Sequence, residues 1–416
     1  MNPSSPGALL DGVRIVDLTT FLSGPFGTQM LADAGADVIK VEPLQGDSSR
    51  SIPPHFVGED SAYYLANNRS KRSIAIDAKD PEGLSAIRKL IETADIVIEN
   101  FRPGVCQRLG LDPEEIRRER PELVWASISG FGQTGPWKDK PAYDMIVQAL
   151  SGVMSLTGER DEDRPAVRLG IPVGDLVAGM FAAFGSLASY IRRLRTGKGA
   201  HIDVSMLDGQ LVMTSYQAVY AMLSGVTPGR QGAGHDSIPT YRSFRAGDRR
   251  EFVITANTDR MWEGLCRVLG REDLITDSRF LSAAERLRNK LELWEILEAE
   301  FTTSDAATWV DRLEAERVPC GLIKTVTEAL EDGRIAGREM VVQLDDPQGR
   351  SVKVVGNPVR LMESGGYEPQ GYSYPPQLGE HSEALLREVG IDEQSITSLR
   401  ERGVIGVPSA TEGRCG

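Results

Sequence analysis

The chain has 416 residues, of which 40% are hydrophobic and 26% charged, and its formal net charge is −13. This length exceeds what one hydrophobic core usually supports, so two domains are expected in a globular protein of ordinary composition. The strongly negative charge argues against nucleic acid or an anionic membrane surface as the main partner.

Cysteines and histidines are few and dispersed. The cysteines, Cys106, Cys266, Cys320 and Cys415, show no paired spacing, which predicts a reducing compartment and no disulfide framework. The four histidines show no ligand spacing, so no zinc-type site is expected. The first residues lack the basic and apolar pattern of an export signal, and no apolar run of bilayer-spanning length is evident. We therefore expect a cytoplasmic protein without a metal site or a membrane span.

The first 200 residues alternate between apolar strands and helices. Strands are predicted at 13–18, 37–42, 73–76, 95–100 and 123–128. Helices are predicted at 25–34 and from about 80 to 94, and a long Ala/Gly-rich helix ends near residue 195. Apolar strands separated by helices indicate a parallel sheet covered on both faces. The predicted fold class is α/β, with a Rossmann-like parallel-sheet large domain.

The rest of the chain predicts a smaller α+β domain, with a strand at 252–256 and charged amphipathic helices at 290–301 and 306–316. The predicted boundaries are a disordered tail at 1–9, the N-terminal part of the large domain at 10–200, a linker at 201–226, the small domain at 227–330, a return to the large domain at 331–405, and a second disordered tail at 406–416.

Asp175 is the first candidate for chemistry. It is a lone acid within residues 170–179, where a Gly/Pro-broken apolar stretch opens onto the long helix. Flanking residues this small let a ligand approach the backbone, and a carboxylate there can act as a nucleophile or proton carrier. It can equally serve as a helix N-cap and nothing more.

The loop after the first strand, residues 19–25, has the position of a nucleotide-binding loop, and Glu42 ends the second strand where a ribose-binding acid would lie. The loop lacks the G-x-G-x-x-G pattern that lets a pyrophosphate approach the backbone, which disfavours dinucleotide binding. Strand ends in an open α/β sheet still form the usual ligand crevice.

A basic cluster surrounds the third strand. Arg69, Lys71, Arg72 and Lys79 form either a solvated edge or an anion-binding patch that works against the global negative charge. Lys79 follows the strand, where it could meet a phosphate.

Residues 100–104 follow the fourth strand. Pro103 and Gly104 are typical of a plain turn. The alternative is a binding segment, in which Phe101 gives an adenine a flat apolar neighbour and Arg102 or Arg108 gives phosphates a partner.

A glycine-rich stretch at 229–234 precedes His235. It is either a flexible connector or a lid, in which Gly232 and Gly234 close over a site together with His235. Upstream, Asp144 is expected to cap a helix, and Tyr143 beside it could face a pocket.

Seven segments have a distinctive joint order and spacing. They are residues 24–25, 31–42 (LADAGADVIKVE), 71–74, 80–83, 99–104 (ENFRPG), 130–136 (GFGQTGP) and 378–381. Together they resemble the class III CoA-transferase family, which contains formyl-CoA transferase and carnitine CoA-transferase and, as a divergent branch, the α-methylacyl-CoA racemases. The resemblance covers residues 10 to about 404.

The resemblance implies roles for individual residues. Asp175 falls on the family's acyl-accepting aspartate. The residues expected along CoA are Thr20, Phe21, Leu22 and Ser23, with Ile76 and Lys79 flanking the nucleotide, Asn100 and Phe101 in contact with it, and Arg108 on a phosphate. The family fold implies an interlocked homodimer of ring-shaped protomers. Its substrates would be an acyl-CoA and a small carboxylic acid, with no permanently bound cofactor.

Two departures from the family pattern affect function. Pro43 and Pro141 stand where formyl-CoA transferase has basic residues in contact with CoA, so the phosphate partners must differ here. The racemase branch has a His-Asp pair where this chain has Tyr143 and Asp144. A two-base proton exchange then lacks one of its bases, which favours transfer over racemisation.

The sequence therefore predicts a CoA-transferase in which Asp175 forms an acyl anhydride and then an aspartyl-CoA thioester. Residues 56–65 and 130–136 resemble the dicarboxylate-using branch of the family more than its formyl/oxalate members, and this resemblance implies succinyl-CoA with a glutarate-like or related acceptor. Backbone donors near Gly174, or glycines of the lid, are the candidates for holding the oxyanion. Two alternatives remain, a 2-methylacyl-CoA racemase or epimerase and a non-catalytic CoA-binding protein.

Overall fold

A computed structural model describes residues 8–161, 163–363, 366–367 and 371–408, with the backbone alone at 335–336, 363 and 366–367. Most of the two predicted disordered tails, 1–9 and 406–416, lies outside these residues. Gly406 lies within them and pairs with Ala75 in a sheet, so the tail boundary predicted at 406 is wrong.

The described residues form the following elements. The strands are β1 Arg14–Asp17, β2 Asp37–Glu42, β3 Phe56–Val57, β4 Asp60–Ser61, β5 Lys71–Ile76, β6 Ile96–Glu99, β7 Val124–Ser129, β8 His201–Ser205, β9 Tyr241–Arg245, β10 Glu251–Thr255, β11 Cys320–Leu322, β12 Val341–Asp345, β13 Ser351–Val355, β14 Met362–Glu363, β15 Gly366–Tyr367 and β16 Ile405–Gly406. The α-helices are α1 Ser23–Asp33, α2 Ala62–Leu65, α3 Pro81–Thr93, α4 Val105–Arg108, α5 Pro113–Glu119, α6 Asp144–Leu150, α7 Val153–Leu156, α8 Val173–Thr196, α9 Met206–Met213, α10 Ser215–Ser224, α11 Asp259–Leu269, α12 Asp273–Thr276, α13 Ala283–Arg288, α14 Lys290–Phe301, α15 Ala306–Ala315, α16 Val326–Glu331, α17 Gly333–Ala336, α18 Ser382–Glu388 and α19 Glu393–Glu401. A 3-10 helix covers Ser48–Ser51.

The largest sheet has seven strands in the order β16-β5-β2-β1-β6-β7-β8. All neighbouring pairs are parallel except β16, which runs antiparallel to β5 at one edge. The predicted parallel sheet is therefore confirmed. Its five predicted strands match β1, β2, β5, β6 and β7 to within two residues at each end. The prediction missed β8, whose sequence HIDVS is not an apolar run, and β16, which has only two residues.

Both faces of this sheet are covered by helices. Ile15 packs in a core cluster with Ala178 and Ala182 of α8, whereas its neighbour Val16 packs in another cluster with Leu90 of α3 and Leu385 of α18. Successive residues of a strand point to opposite faces, so an apolar run is the pattern required by a sheet with two buried faces.

Helix α8 carries the predicted candidate acid and forms part of this core. By length and composition it could cross a membrane, contrary to the expectation that no such run exists. It packs closely on α1, because a Cβ added at Gly27 would lie 2.5 Å from the carbonyl oxygen of Gly179. Ala178 and Ala182 are fully buried. These small, buried residues make one face of α8 part of the protein core, which is the alternative to a membrane span.

The chain divides into two compact units. The first contains residues up to Val153, Arg168–Val219 and the chain from Glu339 onward, and the second contains Met154–Val167 and Tyr220–Arg338. The predicted linker at 201–226 is wrong, since it begins with β8 of the large sheet and continues into α9 and α10.

The second unit has its own core. Strands β9, β10 and β11 form an antiparallel sheet in the order β11-β10-β9. Phe244, Phe252 and Phe301 pack against one another, with ring centroids 4.8 to 6.5 Å apart. The predicted strand at 252–256 and helices at 290–301 and 306–316 are found as β10, α14 and α15.

Candidate active site

The loops after β1, β6 and β7 surround a cleft of about 360 Å³ in the first unit. These strands are neighbours and parallel, so their carboxyl ends meet at one edge of the sheet. The cleft also receives the first turn of α8. The predicted site residues that line it are Thr20, Phe21, Leu22, Ser23, Asn100, Phe101, Tyr143 and Asp175.

Asp175 lies in the first turn of α8 and is mostly buried. Its pKa is raised to about 7, first by burial and then by the charge of Asp144, against a hydrogen bond with Ser23 that lowers it. A carboxylate kept in a poorly solvated site is more basic and more nucleophilic than one in water. The cap position of the helix belongs to Pro172, so Asp175 does not serve as the N-cap.

Asp144, and not Asp175, accepts a backbone amide at the N-terminus of α8. Its Oδ1 accepts the Gly174 amide at 2.7 Å, and its Oδ2 accepts Nε2 of Gln148 at 2.7 Å. It therefore fixes α8, whereas the sequence predicted a cap on its own helix. The Gly174 amide is consequently engaged by Asp144, which argues against its predicted use as an oxyanion donor.

Gly174 admits no side chain at this position. An added Cβ would lie 2.3 Å from Nε2 of Gln210 and 3.0 Å from Oδ1 of Asp144. Gln210 is fully buried and donates nothing from that nitrogen within the described part of the chain. The small residues before Asp175 thus let two buried polar side chains approach the backbone behind it.

Asn100 binds the loop that follows β1. Its Oδ1 accepts the Thr20 amide and its Nδ2 donates to the Thr20 carbonyl, both at 2.8 Å. Nδ2 also donates to the Ser23 hydroxyl at 3.2 Å. Since Ser23 bonds to Asp175, Asn100 connects two of the segments that the sequence placed at the site separately.

Tyr63, in the short helix α2, is a neighbour of the site that sequence reasoning did not single out. Its ring lies 5.2 Å from that of Phe21, centroid to centroid. Burial, followed by the charges of Asp175 and Asp47, raises the pKa of Tyr63 to about 12. Nothing in the local sequence distinguishes this tyrosine from Tyr64, which is buried beneath it in the fold.

Glu99 is a second residue that the sequence did not single out as functional. It is buried at the end of β6, and its Oε2 accepts the Phe101 amide at 2.8 Å. Burial raises the pKa of Glu99 to about 7, although hydrogen bonds from Ser127 and the Phe101 amide lower it. The available signal was the acid that ends an apolar strand and opens the ENFRPG segment, since acids are rarely buried without a partner.

Three cations, Arg102, Lys138 and Lys140, line the cleft. Lys140 lies over the ring of Trp137, with its Nζ 4.7 Å from the centroid. Within the described residues none of the three forms an ion pair. Of these three, only Arg102 was proposed from the sequence as a phosphate partner. Lys138 and Lys140 follow the GFGQTGP segment.

The basic cluster of the third strand has a structural role instead. Arg69 pairs with Asp33, Lys71 with Asp17, and Arg72 with both Asp37 and Glu388. The side chains of Arg69 and Lys71 are at most 3% exposed. The predicted anion patch and the predicted solvated edge are both wrong for these residues, because each cation already has a carboxylate partner.

Three other predicted CoA contacts do not line the cleft. Ile76 is 2% exposed and packs in the core next to Val404, so it is a core residue where a nucleotide contact was predicted. Lys79 is exposed after β5, and Arg108 is exposed at the end of α4, where it approaches Gly104.

The predicted lid residues belong to the second unit. Gly234 forms a bridge with Arg242, and His235 stacks on Tyr241 with ring centroids 5.8 Å apart. Gly232 lies against Arg160. Their closure over a site stays a prediction.

In the part that the structure describes, no group of three or more His, Cys, Asp or Glu side chains is arranged to hold a metal ion. Cys106, Cys266 and Cys320 are free thiols.

The sequence model of CoA-transferase family III matches residues 10–382, most of the chain. The chain belongs to this family. Membership confirms the resemblance drawn from the segments above and identifies the protein as a CoA-transferase. The family acts on CoA thioesters, so the cleft at the strand ends is the natural place to look for the thioester and its acceptor.

Relatives within the family match over nearly their full lengths. The chain is 39% identical to the acetyl-CoA:oxalate CoA-transferase of Acetobacter aceti, over 94% of this chain and 98% of that one. It is 36% identical to the succinyl-CoA:glutarate CoA-transferase of Mus musculus, over 95% and 90% of the two chains. A crystal structure of a CAIB/BAIF family protein from Brucella suis superimposes with a TM-score of 0.79 at 35% identity, covering 91% of this chain and 98% of that one.

Proposed function

We propose that this CoA-transferase uses Asp175 as the covalent carrier of both acyl group and CoA. The Asp175 carboxylate attacks the thioester carbonyl of the donor, the C–S bond breaks, and CoA leaves as the thiolate. The product is a mixed anhydride between Asp175 and the donor acid. The observation that carries this proposal is the position of Asp175 in the cleft at the start of α8, with burial raising its pKa to about 7.

The remaining steps release the donor acid, transfer CoA to the acceptor and regenerate Asp175. The thiolate attacks the aspartyl carbonyl of the anhydride, which frees the donor carboxylate and leaves an aspartyl-CoA thioester. The acceptor carboxylate attacks this thioester and expels the thiolate, which then attacks the acceptor carbonyl of the new anhydride and regenerates Asp175. A carboxylate suits this chemistry because an anhydride keeps the activation of a thioester, whereas a serine ester would lose it.

We infer that the CoA phosphates bind the unpaired cations of the cleft. Arg102, Lys138 and Lys140 line the cleft and supply the positive charge that Pro43 and Pro141 cannot. A polyanionic ligand approaching a chain of net charge −13 needs such a local basic wall. Lys79 and Arg108 stay proposed contacts on the strength of the family resemblance.

We propose succinyl-CoA as donor and a short dicarboxylate as acceptor. The mouse relative is named for succinyl-CoA and glutarate, and the Acetobacter relative for acetyl-CoA and oxalate, so a dicarboxylate is common to both names. A panel of acyl-CoA donors and acids tests this. Exchange with monocarboxylates only would overturn the substrate proposal and leave the transfer chemistry intact.

Racemisation receives no support from the site geometry. Tyr143 is 70% exposed, and both oxygens of Asp144 are bound to Gly174 and Gln148. The Asp144 carboxylate is therefore engaged and not free to take an α-proton, and Tyr143 stands where the racemase branch has its histidine base. A racemase would incorporate deuterium from solvent into a 2-methylacyl-CoA, and that result would replace the proposal.

Intact mass spectrometry tests the covalent step. Incubation with succinyl-CoA should add the mass of CoA to the protein, and peptide mapping should locate it at Asp175. Asp175→Ala should abolish adduct and transfer while CoA binding survives. Transfer by the alanine variant contradicts the mechanism, and CoA binding by the wild type without adduct or transfer would indicate a non-catalytic CoA-binding protein.

We also propose a homodimer in the cytoplasm. Large apolar side chains are exposed along α8 and α9, including Phe184 at 70%, Leu194 at 69% and Val212 at 63%. Exposed apolar surface of this kind is typical of an obligate subunit contact, and the free cysteines suit a reducing compartment. Light scattering coupled to gel filtration should give twice the chain mass, and a monomer at micromolar concentration would contradict the dimer.

A further inference from the structure

The backbone of the loop after β1 is bound almost entirely by side chains from elsewhere in the fold. Lys40 donates from Nζ to the Thr19 carbonyl at 2.9 Å, and Asn100 binds both the amide and the carbonyl of Thr20. Asp47 accepts the Phe21 amide at 3.1 and 3.2 Å through its two oxygens. A short loop gains no such rigidity from its own hydrogen bonds, so these partners define its shape.

Lys40 and Asp47 are themselves an ion pair buried under the loop. Nζ of Lys40 lies 2.9 Å from Oδ2 of Asp47, and both side chains are 0% exposed. The pKa of Asp47 falls to about 2 because the Lys40 charge and backbone amides outweigh the effect of burial. A fully buried ion pair is often no more stabilising than an apolar pair of the same size. Its presence here calls for a role besides stability.

Phe21 provides that role. It has a φ of 68°, in the left-handed region that a residue with a Cβ rarely adopts. In this conformation its ring lies against Tyr63 and lines the cleft of Asp175. Strained backbone of this kind persists only where the surroundings over-determine it, and such positions concentrate at functional sites.

We propose that Lys40 and Asp47 are positioning residues for the transfer reaction: they fix Phe21 in its left-handed conformation, so that its ring and Tyr63 form a wall that keeps water from the intermediates on Asp175. The proposal rests on the covalent mechanism above. Water that adds to the aspartyl-CoA thioester regenerates the Asp175 carboxylate and releases CoA as the free thiol. The positioning role therefore predicts a measurable partition between transfer and hydrolysis.

The test measures free thiol released per acceptor thioester formed. In Asp47→Asn the remaining side-chain oxygen still accepts the Phe21 amide, but Lys40 loses the carboxylate that holds its Nζ under the loop. This ratio should rise about tenfold, the effect expected from weakening one charged hydrogen bond. The matched control is Asp33→Asn, which breaks the pair with Arg69, whose side chains are 1% and 3% exposed, away from the cleft. In Asp33→Asn the ratio of free thiol to acceptor thioester should stay within about twofold of wild type. All proteins are measured well below their unfolding temperatures, so a difference between the two variants reports the position of the loop and not a loss of stability.

Phe21→Gly keeps the test decisive if Asp47→Asn fails to fold. Glycine adopts a positive φ without strain, and no buried charge loses its partner. The ratio should again rise about tenfold from loss of the ring. Where Asp47→Asn does fold, adding it to Phe21→Gly should raise the ratio no further. A Phe21→Gly ratio equal to wild type, or independent multiplicative effects of the two changes, would overturn the proposal.

CoA affinity, measured by calorimetry on the same proteins, separates this proposal from the proposed function. If the wild type transfers nothing, the proposed function fails. The positioning role then still requires Asp47→Asn to weaken CoA binding about tenfold, with Asp33→Asn within about twofold of wild type. Equal affinities in the two variants would overturn it.

Discussion

Replacing Asp175 by asparagine should abolish transfer and make the protein more stable above neutral pH. The pKa of this carboxyl is raised from 3.8 to about 7, so the folded protein binds a proton there more tightly than the unfolded chain does. A carboxyl whose pKa is higher in the folded protein than in the unfolded chain contributes stability that is fully present below the unfolded pKa. This contribution is lost as the pH rises through the folded pKa. Asparagine cannot ionise and keeps an acceptor for Ser23, so the variant escapes this loss.

The size of the effect follows from the shift. A difference of roughly three pKa units corresponds to about 4 kcal/mol at pH 8, about 2 kcal/mol at pH 5 and almost nothing at pH 3. Because the side chain keeps some contact with solvent, screening reduces the expected gain at pH 8 to about 1–3 kcal/mol. Burial is the larger cause of the shift and Asp144 the smaller, and both act on the charged form alone.

Urea denaturation at fixed protein concentration and at pH 3, 5 and 8 measures this gain. The midpoint difference between variant and wild type should grow with pH and level off above about pH 7. Equal midpoints at all three values would refute the reasoning, as would a variant that is less stable at pH 8. Either result would mean that Asp175 is ionised at little cost in the folded protein.

Three further predictions concern residues around the cleft. Glu99→Gln keeps an acceptor for the Phe101 amide but cannot ionise. In an Asp175→Asn background, calorimetry should show CoA affinity falling as the pH rises through about 7, because ionised Glu99 adds negative charge beside the cleft. This pH dependence should vanish when Glu99→Gln is added, and its survival would contradict the assignment to Glu99. Gly174→Ala should lower kcat about 10- to 100-fold, because its Cβ meets Gln210 and displaces the reacting carboxylate; Gly170→Ala, which has open space around it, should retain activity, and equal kcat values for the two would contradict the steric argument. Lys140→Ala should raise KM for the acyl-CoA and flatten the dependence of KM on salt while kcat changes little; an unchanged KM would remove this lysine from the phosphate site.

Much of the fold could be predicted from the sequence because local patterns here agree with the tertiary structure. Strands buried on both faces must be apolar along their length, so β1 and β2 were recognisable from composition alone. Helix α3 begins where Asp80 caps its first turn and Pro81 follows, and both signals are local. Strand β8 was missed because an edge strand with polar residues carries no such run.

The candidate site could be predicted only as a set of chain segments. Asp175 was singled out as a lone acid before a helix, and the family resemblance gave it the role of acyl acceptor and placed segments 20–23 and 100–101 along CoA. Parallel strands explain why these segments meet, since their carboxyl ends lie at one edge of the sheet. The pairing of charges could not be predicted, because Lys71 and Asp17 are far apart in the chain and nothing local marks one for the other. The sequence alone determined the alternation of strands and helices and the family, and it singled out Asp175 as the candidate carboxylate, because these depend on local pattern and on motif order. Only the tertiary structure decided which carboxylates neutralise Arg69, Lys71 and Arg72, which amide Asp144 occupies and which ring packs on Phe21, because distance in space sets electrostatic and packing energies.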